Sequence, residues 1–184
     1  MNFDNFKNIL ITGATGNSAY FFLKKLEKEN FDKVITVITR YKFKNSYFDL
    51  FKLKFKIFNG DINDKEFLSK CLNDIDVVLH TANIENSQNI VEVGSEKKVK
   101  WFILVHSTMV YSKHSSKRIE NRKNIEKNIL KLNSNITILS SSMVYGTSRD
   151  INMSRLIRFM DTFKIFPIFG DGENYMQPIY IEDL

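Results

Sequence analysis

Gly13 and Gly16, in the stretch NILITGATGNSAYFFLKKL at positions 8–26, are the residues of this 184-residue chain best placed to hold a phosphate. They separate a short β-branched run, Ile9-Leu10-Ile11, from a segment in which Ala19, Phe22, Leu23 and Leu26 recur at helical spacing. The chain therefore passes from strand to helix across Gly13-Ala14-Thr15-Gly16. A helix that starts there leaves its first N–H groups without partners and presents its positive dipole end, which suits an anion. Gly13 permits the tight turn, Gly16 lets a diphosphate approach the backbone, and Ala19 is small enough for the helix to pack on a sheet. The set expected around the diphosphate is Gly13, Thr15, Gly16, Asn17 and Ser18. A helix-capping loop without a ligand would use the same residues. A preceding strand and a following helix are the context that favours a dinucleotide.

Three more strand ends carry chemistry suited to the same ligand. The run KVITVIT (33–39) ends at Thr39-Arg40, where a site for NAD usually carries an acidic residue to accept from the ribose 2′-hydroxyl. A guanidinium makes charge-assisted bonds to a 2′-phosphate, so Arg40 makes NADP the expected cofactor and NAD the alternative. A surface arginine is the plain reading of the same residue. After LKFKIF (53–58), the segment NGDIND offers Asp61 to accept from the adenine amino group and Ile62 to pack on the ring. Asp61 would otherwise cap the next helix. After DVVLH (76–80), Thr81, Ala82 and Asn83 are small enough for a flat cofactor to lie close to the backbone.

The elements that must position these residues alternate. Two further strand-like runs cover 101–106 and 135–140, and helix-like runs cover 17–29, 64–72, 85–99, 117–131 and 151–163. The alternation predicts an α/β fold, a Rossmann-like doubly wound parallel sheet with helices on both faces. Ligands then belong at the carboxyl ends of the strands. With 43% hydrophobic and 26% charged residues the composition is that of an ordinary globular domain. The uncharged stretch 136–148 is interrupted by serines, threonines and a glycine, and the first residues lack an apolar signal core, so no membrane segment and a cytoplasmic location are expected. Cys71 is the single cysteine, which excludes an internal disulfide and a thiolate metal cluster, and His80, His106 and His114 lack metal-ligand spacing. The net charge of +6 is richest between Lys113 and Lys131. Helical spacing there reads as a solvated helix face, and no aromatic RNA-binding motif accompanies it, so no nucleic-acid partner is expected.

The ordered segments TGATG, NGDIND, DVVLHTAN, FILVHSTMVYS, TILSSSMVYG and QPIYIEDL resemble the NAD(P)-dependent epimerase/dehydratase family, extended or atypical short-chain dehydrogenase/reductases that act mostly on nucleotide sugars. The resemblance implies hydride transfer assisted by a Ser/Thr, a Tyr and a Lys. It puts the Ser/Thr role on Ser107, whose hydroxyl would bond the substrate oxygen, and the lysine role on Lys123, which would also bond the nicotinamide ribose. Tyrosine and lysine belong at i and i+4 on one helix, where the ammonium lowers the phenol pKa. Four residues before Lys123 stands Ile119, which exchanges no proton. The only Y-x-x-x-K, Tyr20 to Lys24, lies on the first helix beside the diphosphate and far from the nicotinamide.

A second departure is Ser140-Ser141, where the family usually has Arg-Pro. Arg149, Arg155 and Arg158 are either contacts for a substrate diphosphate or helix-surface arginines. Residues 1–148 are expected to form the NAD(P)-binding domain and 149–184 the start of a substrate-binding region whose remainder is largely absent. The expected function is hydride-transfer chemistry on a nucleotide sugar. The alternative is an NADP-binding regulatory or scaffold protein with impaired catalysis. Relatives often pair through the helices corresponding to 85–99 and 117–131, which implies a homodimer.

Overall fold

The structure is a computed structural model, and it describes residues 6–40, 45–113, 116–132, 134–147, 150, 152–168, 170–173, 175 and 177–184. Six strands form one sheet: β1 (Ile9–Thr12), β2 (Val34–Thr39), β3 (Lys54–Asn59), β4 (Val77–His80), β5 (Trp101–Ser107) and β6 (Ile136–Ser141). Their order is β3-β2-β1-β4-β5-β6. β1 pairs in parallel with β2 (Ile9 opposite Ile35) and with β4 (Ile9 opposite Val77), so the strand order reverses beside β1. That reversal opens the crevice in which doubly wound folds bind ligands. β1 and β4 are buried along their whole length, which is why they read as continuous apolar runs. The edge strand β3 instead exposes Lys54 and Lys56, charges that discourage pairing with another chain.

Alternating side chains send two cores to opposite faces. On one face Ile9, Ile11, Ile35, Val37 and Leu79 meet Ala19 and Leu23 of α1 (Asn17–Lys28), with Phe48 and Phe51 from a short 3-10 segment, Asn45–Leu50. On the other, Leu10, Val78, Phe102 and Leu104 meet Leu68 of α2 (Lys65–Cys71), Ile90 and Val91 of α3 (Ser87–Glu96), and Ile125 and Ile129 of α4 (Lys117–Ile129). The helix expected over 85–99 is shorter, because a 3-10 turn at Ile84–Asn86 precedes it. Local chemistry sets several boundaries. The Asp64 carboxylate accepts the N–H groups of Glu66 and Phe67 to start α2, and Ser116 accepts from Ile119 to start α4.

Residues up to Ser140 form one compact unit and residues 141–184 a second, so the boundary expected at residue 148 falls within the second. The second unit holds a parallel pair, β7 (Val144–Tyr145) and β8 (Ile179–Tyr180), and α5 (Met153–Phe163). The Asp150 carboxylate accepts the Ser154 N–H at 2.8 Å near the start of α5, and this hydrogen bond holds its pKa below the usual carboxylate range. Arg155 and Arg158 are exposed on α5; Arg149 and His114 lie outside the described residues.

Gly94 of α3 faces Phe102 of β5, and a Cβ there would lie 2.6 Å from the buried ring. Gly94→Ala gains about 1 kcal/mol of helix propensity but overpacks the core by about 1–3 kcal/mol. The expected outcome is a net loss of about 1 kcal/mol, read as a lower urea midpoint at unchanged slope.

Candidate functional site

The glycine loop is held by a clamp between β1 and β4. His80, the last residue of β4, is fully buried. Its Nε2 lies 3.1 Å from the Asn83 carbonyl, which only accepts, so Nε2 carries the proton. Nδ1 is then the acceptor for the Thr12 hydroxyl, 2.6 Å away at the end of β1. Burial lowers the His80 pKa to about 4, so the ring is neutral at pH 7. Thr81 completes the clamp: its hydroxyl donates to the carbonyls of Thr12 at 2.9 Å and Gly13 at 3.2 Å. Gly13 has φ +71°, and a Cβ there would come within 2.7 Å of the Ala82 N. Thr81 and Ala82 thus press directly on the loop, and the glycine is required by that contact as well as by the turn.

Gly16 is the N-cap of α1 and offers no side-chain cap, and no carboxylate occupies the first turn. Asn17 and Ser18 supply the next backbone groups at that helix start, with Thr15 partly buried before them. Arg40 is exposed at the end of β2, one residue past Thr39, whose hydroxyl donates to Asn59 Oδ1 at 2.6 Å. Asp61 follows β3 and accepts from the backbone and side chain of Asn63 at 2.9 and 3.0 Å. It does not cap α2, a role taken by Asp64. Ile62 is partly buried against the α2–α4 core, and Asn83 is exposed. Every one of these positions lies at the carboxyl edge of the sheet.

Ser107 ends β5, and its Oγ accepts the Met109 N–H at 3.3 Å, which leaves its proton to donate. On α4 the buried face carries Ile119, Arg122, Ile125 and Ile129, while Lys123 is exposed. Residues that the motif reading did not single out hold α4 in place. His106 Nδ1 donates to Glu126 Oε1 at 2.8 Å, and His106 Nε2 lies 2.9 Å from Ser87 Oγ on α3. Burial lowers the His106 pKa against the opposing pull of Glu126, so the ring is neutral. Hydroxyl, imidazole and carboxylate in that order are the parts of an activated nucleophile. Ser87 is wholly buried, however, and the trio braces β5, α3 and α4 instead. Arg122 Nε meets Glu85 Oε1 at 3.3 Å. Its position on the stripe 119, 122, 125, 129 was the available sequence signal.

An open hollow of about 390 Å³ lies at the opposite, amino end of the strands, lined by Lys7, Asp76, Lys97, Lys98 and Lys100 among others. One of its two carboxylates is occupied: Asp76 accepts from the Lys7 and Asn8 backbone N–H groups and pairs with Lys100. The groups suited to a dinucleotide are all at the other edge.

The model of the NmrA-like family matches residues 5–163. The chain belongs to the NmrA-like family. The motif resemblance to the epimerase/dehydratase family is matched by similarity to individual proteins. This NmrA-like chain is 31% identical over 118 residues to a UDP-N-acetylglucosamine 4,6-dehydratase (inverting) of Campylobacter jejuni, covering 52% of this chain and 35% of that enzyme. It is 31% identical over 124 residues to an uncharacterized membrane protein of Methanocaldococcus jannaschii, covering 56% of this chain and 37% of that protein. It thus spans little more than a third of the length of these curated relatives. Among its described residues no helix is long and apolar enough to cross a membrane. A solved structure of UDP-glucuronic acid 4-epimerase from Bacillus cereus in complex with NAD matches with a TM-score of 0.73 at 25% identity, over 96% of this chain and 70% of that one.

The clamp makes a pH prediction. His80 titrates near 6.5 when unfolded and at about 4 when folded, so its stabilisation is complete above pH 6.5 and is lost as the pH falls toward 4. The loss amounts to about 3 kcal/mol. Denaturation of the unmodified protein and His80→Leu at a series of pH values should show a steeper fall in the former across that window. Parallel curves would remove His80 from the account.

Proposed function

We propose that this NmrA-like protein binds NADP along the carboxyl edge of its sheet and acts on a nucleotide sugar, as an enzyme of the epimerase, dehydratase or reductase kind. The observation that carries the reading is the convergence of an uncapped helix start at Gly16, an arginine ending β2 and a serine ending β5 on one edge. Gly13, Thr15, Gly16, Asn17 and Ser18 take the diphosphate, Asp61 and Ile62 the adenine, and Thr81, Ala82 and Asn83 the flank of the cleft. Arg40 takes the 2′-phosphate. The fit rests on the bare backbone at Gly16, the N-cap of α1, with no side-chain cap and no carboxylate in the first turn to compete with an anion.

The chemistry such a cofactor supplies is reversible acceptance of a hydride. Ser107 holds the substrate oxygen with the proton that its bond to Met109 leaves unused. Lys123 stands one helical turn beyond Ile119, ready to serve as a cation toward the ribose. Ile119 is buried and exchanges no proton, so turnover depends on another acid/base group or is slow. That residue favours a second reading, in which the bound cofactor is sensed and not consumed.

Calorimetric titration tests the cofactor assignment. NADPH should bind more tightly than NADH by about 1.5–3 kcal/mol, the worth of hydrogen bonds to a charged group, and Arg40→Ala should erase the difference. Gly16→Val should abolish binding of both with the fold intact. Equal affinities in the unmodified protein would sink the NADP assignment, and retained binding in Gly16→Val would sink the loop's role.

A further inference from the structure

Lysines gather on the amino edge of the sheet, opposite the glycine loop. Lys7 precedes β1, Lys97 and Lys98 follow α3, and Lys100 precedes β5; these four line the open hollow. Lys127 lies in the last turn of α4 and Lys131 just beyond it. Ser134 Oγ, 2.6 Å from Ser95 Oγ, ties the chain after α4 to the last turn of α3, so the two groups of lysines adjoin. The carboxylates of Asp74, Asp76 and Glu96 lie among them, and the lysines remain in excess. Asp76 pairs with Lys100 at 2.7 Å, while Lys97, Lys98, Lys127 and Lys131 make no ion pair among the described residues.

Helix dipoles account for part of this arrangement. A cation is favoured at a helix C-terminus, which suits Lys97, Lys98, Lys127 and Lys131. Lys7 and Lys100 stand before strands, where no helix end calls for a charge. The type of cation is also sorted. The described arginines of the first unit lie elsewhere: Arg40 follows β2, and Arg118 and Arg122 occupy the first half of α4. Lysine is a hydrated point charge suited to a diffuse anionic field, whereas arginine suits two-point capture of a single phosphate.

Leu130, between Lys127 and Lys131, is 65% exposed and gives the lysines an apolar companion, the combination that a lipid headgroup layer accepts. Single-stranded nucleic acid would call instead for open aromatic faces on which bases stack. Phe6 and Trp101, the chain neighbours of Lys7 and Lys100, pack on each other with centroids 6.0 Å apart, and Trp101 Nε1 donates to Thr137 Oγ1 at 3.0 Å.

We propose that this edge is a docking face for the anionic phospholipid surface of a membrane. Its lysines meet the headgroups, Leu130 enters the headgroup layer, and the carboxyl edge with its glycine loop is left facing water. Attachment of this kind needs no membrane-spanning helix, and it is independent of the nucleotide reading given above.

Sedimentation of the full chain with phosphatidylcholine vesicles, with and without roughly 20% phosphatidylserine, tests the proposal. The chain should bind only the anionic vesicles. Raising the salt from about 0.1 M to about 1 M, which shortens the screening length from about 10 Å to about 3 Å, should release it. Each lysine near such a surface strengthens attachment by about fivefold, so Lys97→Gln combined with Lys98→Asn should bind about 25-fold more weakly. Asparagine is used because Lys98 has φ +61°, a conformation it tolerates. Lys113→Gln combined with Lys117→Gln removes the same charge at the carboxyl end of the fold and should lose less than about threefold. Thermal unfolding checks that both double variants fold. Equal losses for the two would show a response to net charge alone and overturn the proposal. Equal binding to neutral and anionic vesicles, or binding to neither, overturns it too. So does tighter binding of a single-stranded RNA oligonucleotide than of the anionic vesicles, lost on changing Lys97 and Lys98.

Discussion

A neutral imidazole sealed between two adjacent parallel strands governs the edge on which the candidate site is built. His80 accepts from Thr12 and donates to the Asn83 carbonyl, so one ring ties the end of β1, the end of β4 and the turn that follows it. The directions of those bonds hold only while the ring is uncharged, because a protonated ring would face Thr12 with a second donor. Burial enforces that state. With the two strand ends fixed, Thr81 and Ala82 are pressed against Gly13, and the loop that opens α1 has one position available. The bareness of the loop at Gly13 therefore answers a demand of the fold itself, room for the neighbouring backbone of Thr81 and Ala82.

A second buried histidine performs the same task one strand further along. His106 joins β5 to α3 and α4 through Ser87 and Glu126 and so sets the rotation of α4 about its axis. That rotation decides which cation faces inward. Arg122 and Glu126 lie on the packed side, and Lys123 lies outside. Burying Arg122 is tolerable only because Glu85 meets it, since an unpaired buried charge costs several kcal/mol. The polar interior is thus a pair of brackets, one for the glycine loop and one for the helix that follows Ser107.

The sheet was legible in the sequence because parallel strands between two helical layers are apolar on both faces, as in Ile9-Leu10-Ile11 and Val77-Val78-Leu79. Gly13 and Gly16 were legible for a related reason, as a strand-to-helix turn leaves few residue types acceptable. The inward cation was not. Lys123 matches the family motif and is exposed, whereas the direction of a side chain on α4 depends on Ser87, His106 and Glu126, which are far apart in the chain. The pairing of Glu85 with Arg122 spans 37 residues and leaves no local pattern. Asp61 is the residue of NGDIND that the sequence offers as a helix cap, but the cap is Asp64, because α2 starts at Lys65.

The central claim is that this NmrA-like fold receives a nicotinamide dinucleotide at the carboxyl edge pinned by His80. Amide hydrogen exchange followed residue by residue, with and without saturating NADPH, addresses it most directly. New protection is expected at the backbone of Gly13 to Ser18 and of Thr81 to Asn83, with the amino edge unchanged. Protection confined to the hollow around Lys7, Asp76 and Lys98, with the glycine loop exchanging as before, would contradict it.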